Sequence, residues 1–377
     1  MKAKIWVAIY LVLFSVGILG YMVLNYVVDP MQYYTVEKGH DTYDADSYTR
    51  YIKSDYVSKN TDEIEAVVIG GSKSGVISTD LLKEYTGLDY YNFYMSVGNF
   101  SDYLAYIEFL LNTCDLKEIT LHLSSFEVKS YSREHRSSNY EVPAIVNGSL
   151  FDQFTETLSY LTSDIATVIK NINPAPASSI NYLSNGERKW VSAESAYQKD
   201  IESYIKKRFY KELAQEMKYL KNELAASYPA FDDNIKALRT IKDMCDEKGV
   251  TLKLMIGASF VGEHRSYECD RYYDYLLQIV DIMDVWDFSD FNEVNMNPYN
   301  FINTNHYSRA VADLMVNTMY GKDSKDGFGI YLTKDNIYDY LKERREKRLA
   351  VVEEYETTGT LSFGDKSSDS FVEGEIF

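Results

Sequence analysis

The hydrophobic pattern divides the chain into an apolar anchor, an alternating α/β body and a long polar interruption. Residues Ile5 to Val28 carry no charge, and at about 1.5 Å per residue such a run crosses a bilayer core. Beyond it, short apolar runs alternate with amphipathic stretches. Glu65 to Ile69, Tyr90 to Met95, Ile119 to Leu123, Leu252 to Ile256 and Val285 to Phe288 read as strands. Asp80 to Tyr85 reads as a short helix, capped by Ser78 or Thr79 and ended by Gly87. A helix capped by Ser101 turns Leu104, Ile107 and Leu111 to one face. Ile235 to Lys248, closed by Gly249, and Tyr267 to Met283 are further helices. Ser308 caps another, with Val311, Leu314, Met315 and Met319 on one side, and Asn336 to Tyr355 reads as a charged surface helix. Strands alternating with helices predict a parallel, doubly wound α/β sheet of about five strands.

The rest of the chain fits around that body. Residues 30–62 are polar and tyrosine-rich and read as a membrane-proximal arm. The α/β domain runs over 63–355. It is interrupted at 127–232 by a stretch without a convincing strand, read as a helical insertion with polar loops at 130–140 and 171–185. Residues 356–377 are acidic and rich in Gly and Ser, the composition of a disordered tail.

Charge and cysteine content narrow the class. The net charge of −18 argues against nucleic acid and against an anionic surface as partner. Lys2 and Lys4 precede the apolar run and Asp29-Pro30 follows it, so the positive-inside rule keeps the N-terminus cytoplasmic and the main domain outside. The run is long for a signal peptide and lacks a small-x-small cleavage site, which favours an uncleaved, single-pass anchor contacting lipid through residues 5–28. Cys114, Cys245 and Cys269 match no metal spacing and suggest no disulfide framework, and Cys114 and Cys245 fall in helical patterns as core residues. The 35 tyrosines are either compositional bias or sugar-stacking surface.

Two stretches carry candidate chemistry. The strand Ala66 to Ile69 stops at Gly70-Gly71-Ser72-Lys73-Ser74-Gly75, which puts Ser72 at the carboxyl end of a buried parallel strand. Open α/β sheets place their ligand sites at that end. Of the five histidines, His40, His122, His135, His264 and His306, none forms a ligand pair, and nothing calls for a metal or a cofactor. His306 ends the Asn- and Pro-rich loop 292–305 after the last strand, at the same rim as Ser72. A serine hydroxyl needs a base to take its proton, and an imidazole on a neighbouring loop supplies one.

These blocks resemble the SGNH (GDSL-like) hydrolases, in the variant of cell-envelope members. Gly70 to Gly75 is similar to their first block, Tyr91-Asn92-Phe93 to Gly98-Asn99 to the second, and Asn303-Thr304-Asn305-His306-Tyr307 to the last. Trp286 to Ser289 and Gly327 to Tyr331 also fit, so the resemblance spans roughly residues 60–345. It implies an SGNH/flavodoxin-like fold, with Ser72 as nucleophile and His306 as its general base. The backbone N–H groups of Ser72 and Gly98 would form the oxyanion hole. The last block departs from the family pattern in carrying Asn303 where an aspartate is usual, so Asn303, Asp287 and Asp290 are all candidates to orient the imidazole. The third block is missing, which leaves Asn99, Ser124 and Ser125 as candidate side-chain donors.

The resemblance is to envelope proteins such as those of lipoteichoic acid D-alanylation and alginate acetylation. It implies an acyltransferase or esterase that moves acetyl or D-alanyl groups to or from a cell-surface polysaccharide or teichoic acid, beside a membrane-bound O-acyltransferase. The rival readings are a non-catalytic glycan-binding or scaffold partner of such an acyltransferase, and a membrane-anchored esterase for small molecules. Hydrogen-bond reach between Ser72 and His306 favours catalysis over the scaffold.

Overall fold

A computed structural model of the chain describes residues 2–34, 42–44, 49–124, 141–172, 180–190, 197, 199–210, 230–261 and 270–376. Helix α1 (Lys2–Val28) is long and apolar enough to span a membrane, and its side chains are exposed from Ala3 to Gly20. Strand β1 (Thr42–Asp44) and helix α2 (Thr49–Lys59) follow. The body then alternates: β2 (Ala66–Gly70), α3 (Thr79–Thr86), β3 (Tyr90–Tyr94), α4 (Phe100–Thr113) and β4 (Glu118–Leu123). An interruption holds helices α5 (Ala144–Asn147), α6 (Leu150–Leu161) and α7 (Ile165–Asn171), strands β5 (Ile180–Leu183) and β6 (Arg188–Trp190), and helix α8 (Ile201–Ile205). Alternation resumes with α9 (Phe231–Lys248), β7 (Thr251–Ile256), α10 (Asp270–Ile282) and β8 (Val285–Asp287). The last elements are β9 (Phe301–Asn303), β10 (His306–Tyr307), α11 (Arg309–Met319), β11 (Ile330–Leu332) and α12 (Ile337–Thr358).

The main sheet has six strands in the order β11-β8-β7-β4-β2-β3. The five predicted strands are the parallel ones. The sixth, β11, pairs antiparallel with β8 at the edge. Side-chain alternation splits the core in two, because successive residues of a strand face opposite ways. Val67, Ile69, Ile119 and Leu121 pack with α4, α9 and α10 on one face. Ala66, Val68 and Met255 pack on the other with Leu82 of α3 and Val311, Leu314 and Met315 of α11. Both faces are buried, which is why the strands read as continuous apolar runs. Cys114 and Cys245 sit in the first of these clusters, whereas Cys269 lies outside the described residues.

Within the arm, α2 buries eight of its residues, and Lys53 among them donates to carbonyls of β3. Four expectations are corrected. The insertion is not purely helical. Strands β5 and β6 form a hairpin, and β1 adds to it as a third strand. The signal for that hairpin was Asn185-Gly186, a strong two-residue turn cue. Helix α4 is capped by Asn99 rather than Ser101, in a reciprocal capping box with Asp102. Helix α12 is not wholly a surface element, because Arg344 and Arg348 are buried.

The tail is ordered. Leu361, Ser370 and Val372 are buried, and Asn300 exchanges hydrogen bonds with the Ser370 carbonyl (2.8 Å) and the Val372 N–H (2.9 Å). The Ala310 N–H, an otherwise orphaned donor of the first turn of α11, reaches the Glu375 carbonyl at 2.7 Å. The composition suggested disorder because polar tail residues here meet polar loop residues, a pairing that apolar periodicity does not reveal. Removal of residues 361–377 is therefore expected to cost about 3 kcal/mol of stability, read as a lowered urea midpoint. Survival of that midpoint unchanged would mean the tail does not brace the loop.

Candidate active site

Strand order reverses between β2 and β4, because the chain leaves β2 for β3 on one side and returns to β4 on the other. In open α/β sheets the crevice at such a switch point, beyond the carboxyl ends of the strands, is where ligands bind. Ser72 follows β2 directly, at the start of a short 3-10 turn, Ser72–Val76. The turn is held from below: the buried Asn92 side chain donates to the carbonyls of Ser74 (2.9 Å) and Ile77 (3.0 Å). Gly70 has no room for a side chain, since a Cβ there would stand 2.6 Å from the His122 carbonyl oxygen.

His306 reaches the same rim on a separate, tightly fixed segment. Strands β9 and β10 form a minimal hairpin in which His306 pairs with Asn303. The preceding loop is wired by asparagines. Asn295 donates to the carbonyls of Phe288 and Asp290 (both 2.8 Å), and Asn297 and Asn300 hold the tail. Tyr204 of α8 donates to the Ile302 carbonyl. The result is a contact between residues 234 apart in sequence: Ser72 Oγ lies 2.9 Å from His306 Nε2. His306 Nδ1 lies 2.9 Å from Asn303 Oδ1, which also accepts the Asn305 N–H at 2.9 Å. With Nδ1–H donating to the carboxamide, Nε2 is left to accept the Ser72 hydroxyl proton. All three residues are half-buried.

The imidazole is held well below its ordinary pKa, chiefly by burial of the ring, then by the nearby charges of Arg188 and Lys73. Asn303, being neutral, does not offset that. Beneath it, the fully buried His122 of β4 meets Tyr307 (Nε2 to hydroxyl, 2.9 Å) and is pushed down to about 3, first by burial and then by Lys73.

Asp287 and Asp290 do not orient His306. Asp287 is buried against Tyr340 (2.8 Å) and Arg344 (3.2 Å) of α12, and Asp290 pairs with Lys347 (2.7 Å). Both carboxylates brace α12 instead. The oxyanion expectations fare unevenly. The Gly98 N–H donates to the Met95 carbonyl at 3.1 Å, closing a turn, and is therefore already engaged. That turn contains Val97 at φ 62°, a strained conformation for a β-branched residue. Asn99 spends its Oδ1 on the α4 cap, while its Nδ2 is buried with no hydrogen-bond partner among the described residues. Ser124 follows β4 at the same rim, and Ser125 lies outside the described residues.

Sequence reasoning missed the residues of the insertion that complete the site. Arg188 of β6 donates to the Ser72 carbonyl at 3.0 Å and stacks over Trp190, 4.0 Å from its ring centre. Trp190 in turn meets His306 edge-on at 5.0 Å between ring centres. The hairpin that carries them is fastened by buried polar contacts. Lys53 donates to the carbonyls of Asn92 (2.8 Å), Tyr94 (3.1 Å) and Gly186 (2.8 Å). Glu187 accepts from Thr79 N–H and hydroxyl, both at 2.8 Å, and pairs with Arg309 at 2.6 Å. Gly186, at φ 85°, approaches so closely that a Cβ would meet the Asn92 carbonyl oxygen at 2.1 Å. A cleft of about 480 Å³ lined by Lys253, Trp286, Tyr320 and Tyr331 lies elsewhere and shares no residue with this constellation.

No family model matches the chain, and no curated protein matches it.

The buried His122 has a consequence for stability. Its folded pKa of about 3 lies below the unfolded 6.5, so only the unfolded chain takes up the proton in between. Stability is complete above about pH 6.5 and falls as pH drops, by about 1.4 kcal/mol per unit from this group. Urea titrations between pH 7 and 4 are expected to give a shallower slope for His122→Gln than for the parent. Equal slopes would show that His122 is not buried neutral.

Proposed function

We propose that this chain is a membrane-anchored, extracytoplasmic SGNH-like serine acyltransferase or acyl esterase. The observation that carries the reading is the relay of two 2.9 Å contacts, Ser72 to His306 and His306 to Asn303. Serine, imidazole and an orienting group stand in hydrogen-bond order, which is the requirement for an activated hydroxyl. In the proposed reaction Ser72 Oγ attacks the acyl carbonyl while His306 Nε2 takes its proton. The imidazolium then protonates the departing oxygen, leaving an acyl ester on Ser72. An acceptor hydroxyl, from a sugar or from water, gives its proton to His306 and attacks the ester, and the imidazolium returns a proton to Ser72 Oγ as the acyl–oxygen bond breaks. The acyl group is acetyl or D-alanyl, and the acceptor is a cell-surface polysaccharide or teichoic acid. A membrane-bound O-acyltransferase is the proposed donor-side partner.

Asn303 substitutes for the charged member of the usual triad. Its carboxamide fixes the tautomer but stabilises the imidazolium less than a carboxylate does. The depressed pKa of His306 keeps the base neutral to low pH. The second reading, a non-catalytic glycan-binding or scaffold partner of the acyltransferase, is favoured by one observation. The Gly98 N–H is engaged with Met95 rather than free for an oxyanion.

Full-length protein treated with an activated ester is expected to gain one acyl group on Ser72, read by intact mass. The adduct is lost in Ser72→Ala and in His306→Ala. Its rate is expected to hold from pH 8 down past 6.5, because His306 titrates well below that value. A missing adduct over this whole range would leave the scaffold reading. In Asn303→Asp, a carboxylate beside the ring raises the imidazole pKa. The acid limb of the rate profile is expected to move up. Its plateau is expected to rise about tenfold for each 1.4 kcal/mol of added imidazolium stabilisation. A limb that stays in place would show that residue 303 does not face the base in solution.

A further inference from the structure

Exposed apolar side chains outside α1 are concentrated in one short stretch. Leu150, Phe151 and Phe154 of α6 are 85%, 72% and 63% exposed, and Ile165, Ile169 and Ile172 in and after α7 are 54%, 61% and 52% exposed. Elsewhere among the described residues beyond α1, large exposed apolar groups stand singly, at Tyr331, Tyr338 and Leu349. Helix α6 is inverted relative to a water-soluble surface helix, which turns its apolar stripe inward. The side it turns to the protein carries polar groups and Tyr160. Thr157 meets the Tyr33 hydroxyl at 3.0 Å, and Glu156 accepts the Ala144 N–H at 3.1 Å. None of its side chains is fully buried.

The neighbour of this stripe identifies what covers it. Helix α1 is exposed all round from Ala3 to Gly20, eighteen residues or about 27 Å, against a hydrocarbon core of about 30 Å. From Tyr21 onward it becomes one-sided: Tyr21, Met22 and Val28 are half-buried and Asn25 is buried. Helices α6 and α7 pack on that final segment, and Tyr21 donates to the carbonyl of Ser163 in the turn between them. Tyrosine is a residue of the headgroup layer. The two helices therefore lie at the depth where the anchor leaves the hydrocarbon.

We propose that the α6–α7 pair is a second, interfacial membrane attachment, with its isoleucine, leucine and phenylalanine stripe set into the lipid headgroup–acyl boundary beside α1. The proposal rests on the reading of α1 as a bilayer-spanning anchor. An apolar helix face lying in the interface plane is held by buried apolar area, and here α1 supplies a fixed second point. The attachment is joined to the candidate site by an aromatic cluster. Tyr33 stacks on Tyr51 of α2 (3.6 Å) and packs against Tyr160 of α6 (4.1 Å). Tyr94, at the end of β3 and in register with Gly70, belongs to the same cluster. The rim bearing Ser72 is thus held at a set height above the bilayer, which suits an acyl donor or acceptor presented at the membrane surface.

The test places the photoreactive residue benzoylphenylalanine in the full chain, reconstituted in phosphatidylcholine vesicles, at Phe151, Ile169, Phe14 or Tyr338. Irradiation is expected to add one lipid mass at 14, 151 and 169 and none at 338. A lipid adduct at 14 with none at 151 or 169 would overturn the proposal while leaving the anchor in place. In that case, crosslinking of 151 or 169 to a protein in native membranes would assign the stripe to a partner instead. No adduct at 14 would overturn the anchor reading and the proposal together.

Discussion

A polar hairpin can lie over the rim of a parallel sheet only if each of its buried groups finds a partner, and that constraint organises this molecule. The three carbonyls gathered by Lys53 belong to two strands' worth of backbone: the end of β3 and the turn between β5 and β6. Burial, and then the charge of Arg188, lower the pKa of Lys53, yet three acceptors match the three protons of an ammonium. Glu187 and Arg309 make the matching contact from the other side of the turn. Removing either group would strand buried polar atoms, whose desolvation is costly. The insertion is consequently part of the domain rather than an appendage, and it delivers Arg188 and Trp190 to the serine and histidine.

The second half of the site obeys the same logic with neutral groups. The loop from Ser289 to Asn305 has little regular structure, so its backbone must be satisfied by side chains. Asn295, Asn297 and Asn300 do this, and the tail completes the set by bonding to Asn297 and Asn300. A rigid loop permits Asn303 and His306 to face each other across a two-residue turn. The neutral carboxamide leaves the charges of Arg188 and Lys73 near the ring uncompensated, so the imidazolium is stabilised less than a carboxylate would stabilise it. The buried pair of Arg50 with Asp102 (3.1 Å) fixes the turn ahead of α4 in the same way, since Arg50 also donates to the Ser96 carbonyl at 3.1 Å. The tyrosines around Tyr33 link α6 to α2 and α2 to the end of β3.

Local signals along the chain carried the long apolar N-terminal helix, the five parallel strands and the placement of Ser72 beyond β2, and loop context marked His306. The helix, the strands and Ser72 rest on local periodicity or on a Gly-Ser corner, signals that survive in one dimension, whereas His306 rested on its place in a loop after the last strand and on the resemblance of its block. That Asn303, and neither Asp287 nor Asp290, faces the imidazole is set by packing in three dimensions. Those aspartates are claimed by Arg344 and Lys347 of a helix more than fifty residues downstream, and long-range charge pairing leaves no periodic trace. The same holds for Arg188, Trp190, Lys53 and the docked tail. Polar residues that are buried through mutual hydrogen bonds look, in sequence, the same as polar residues in water.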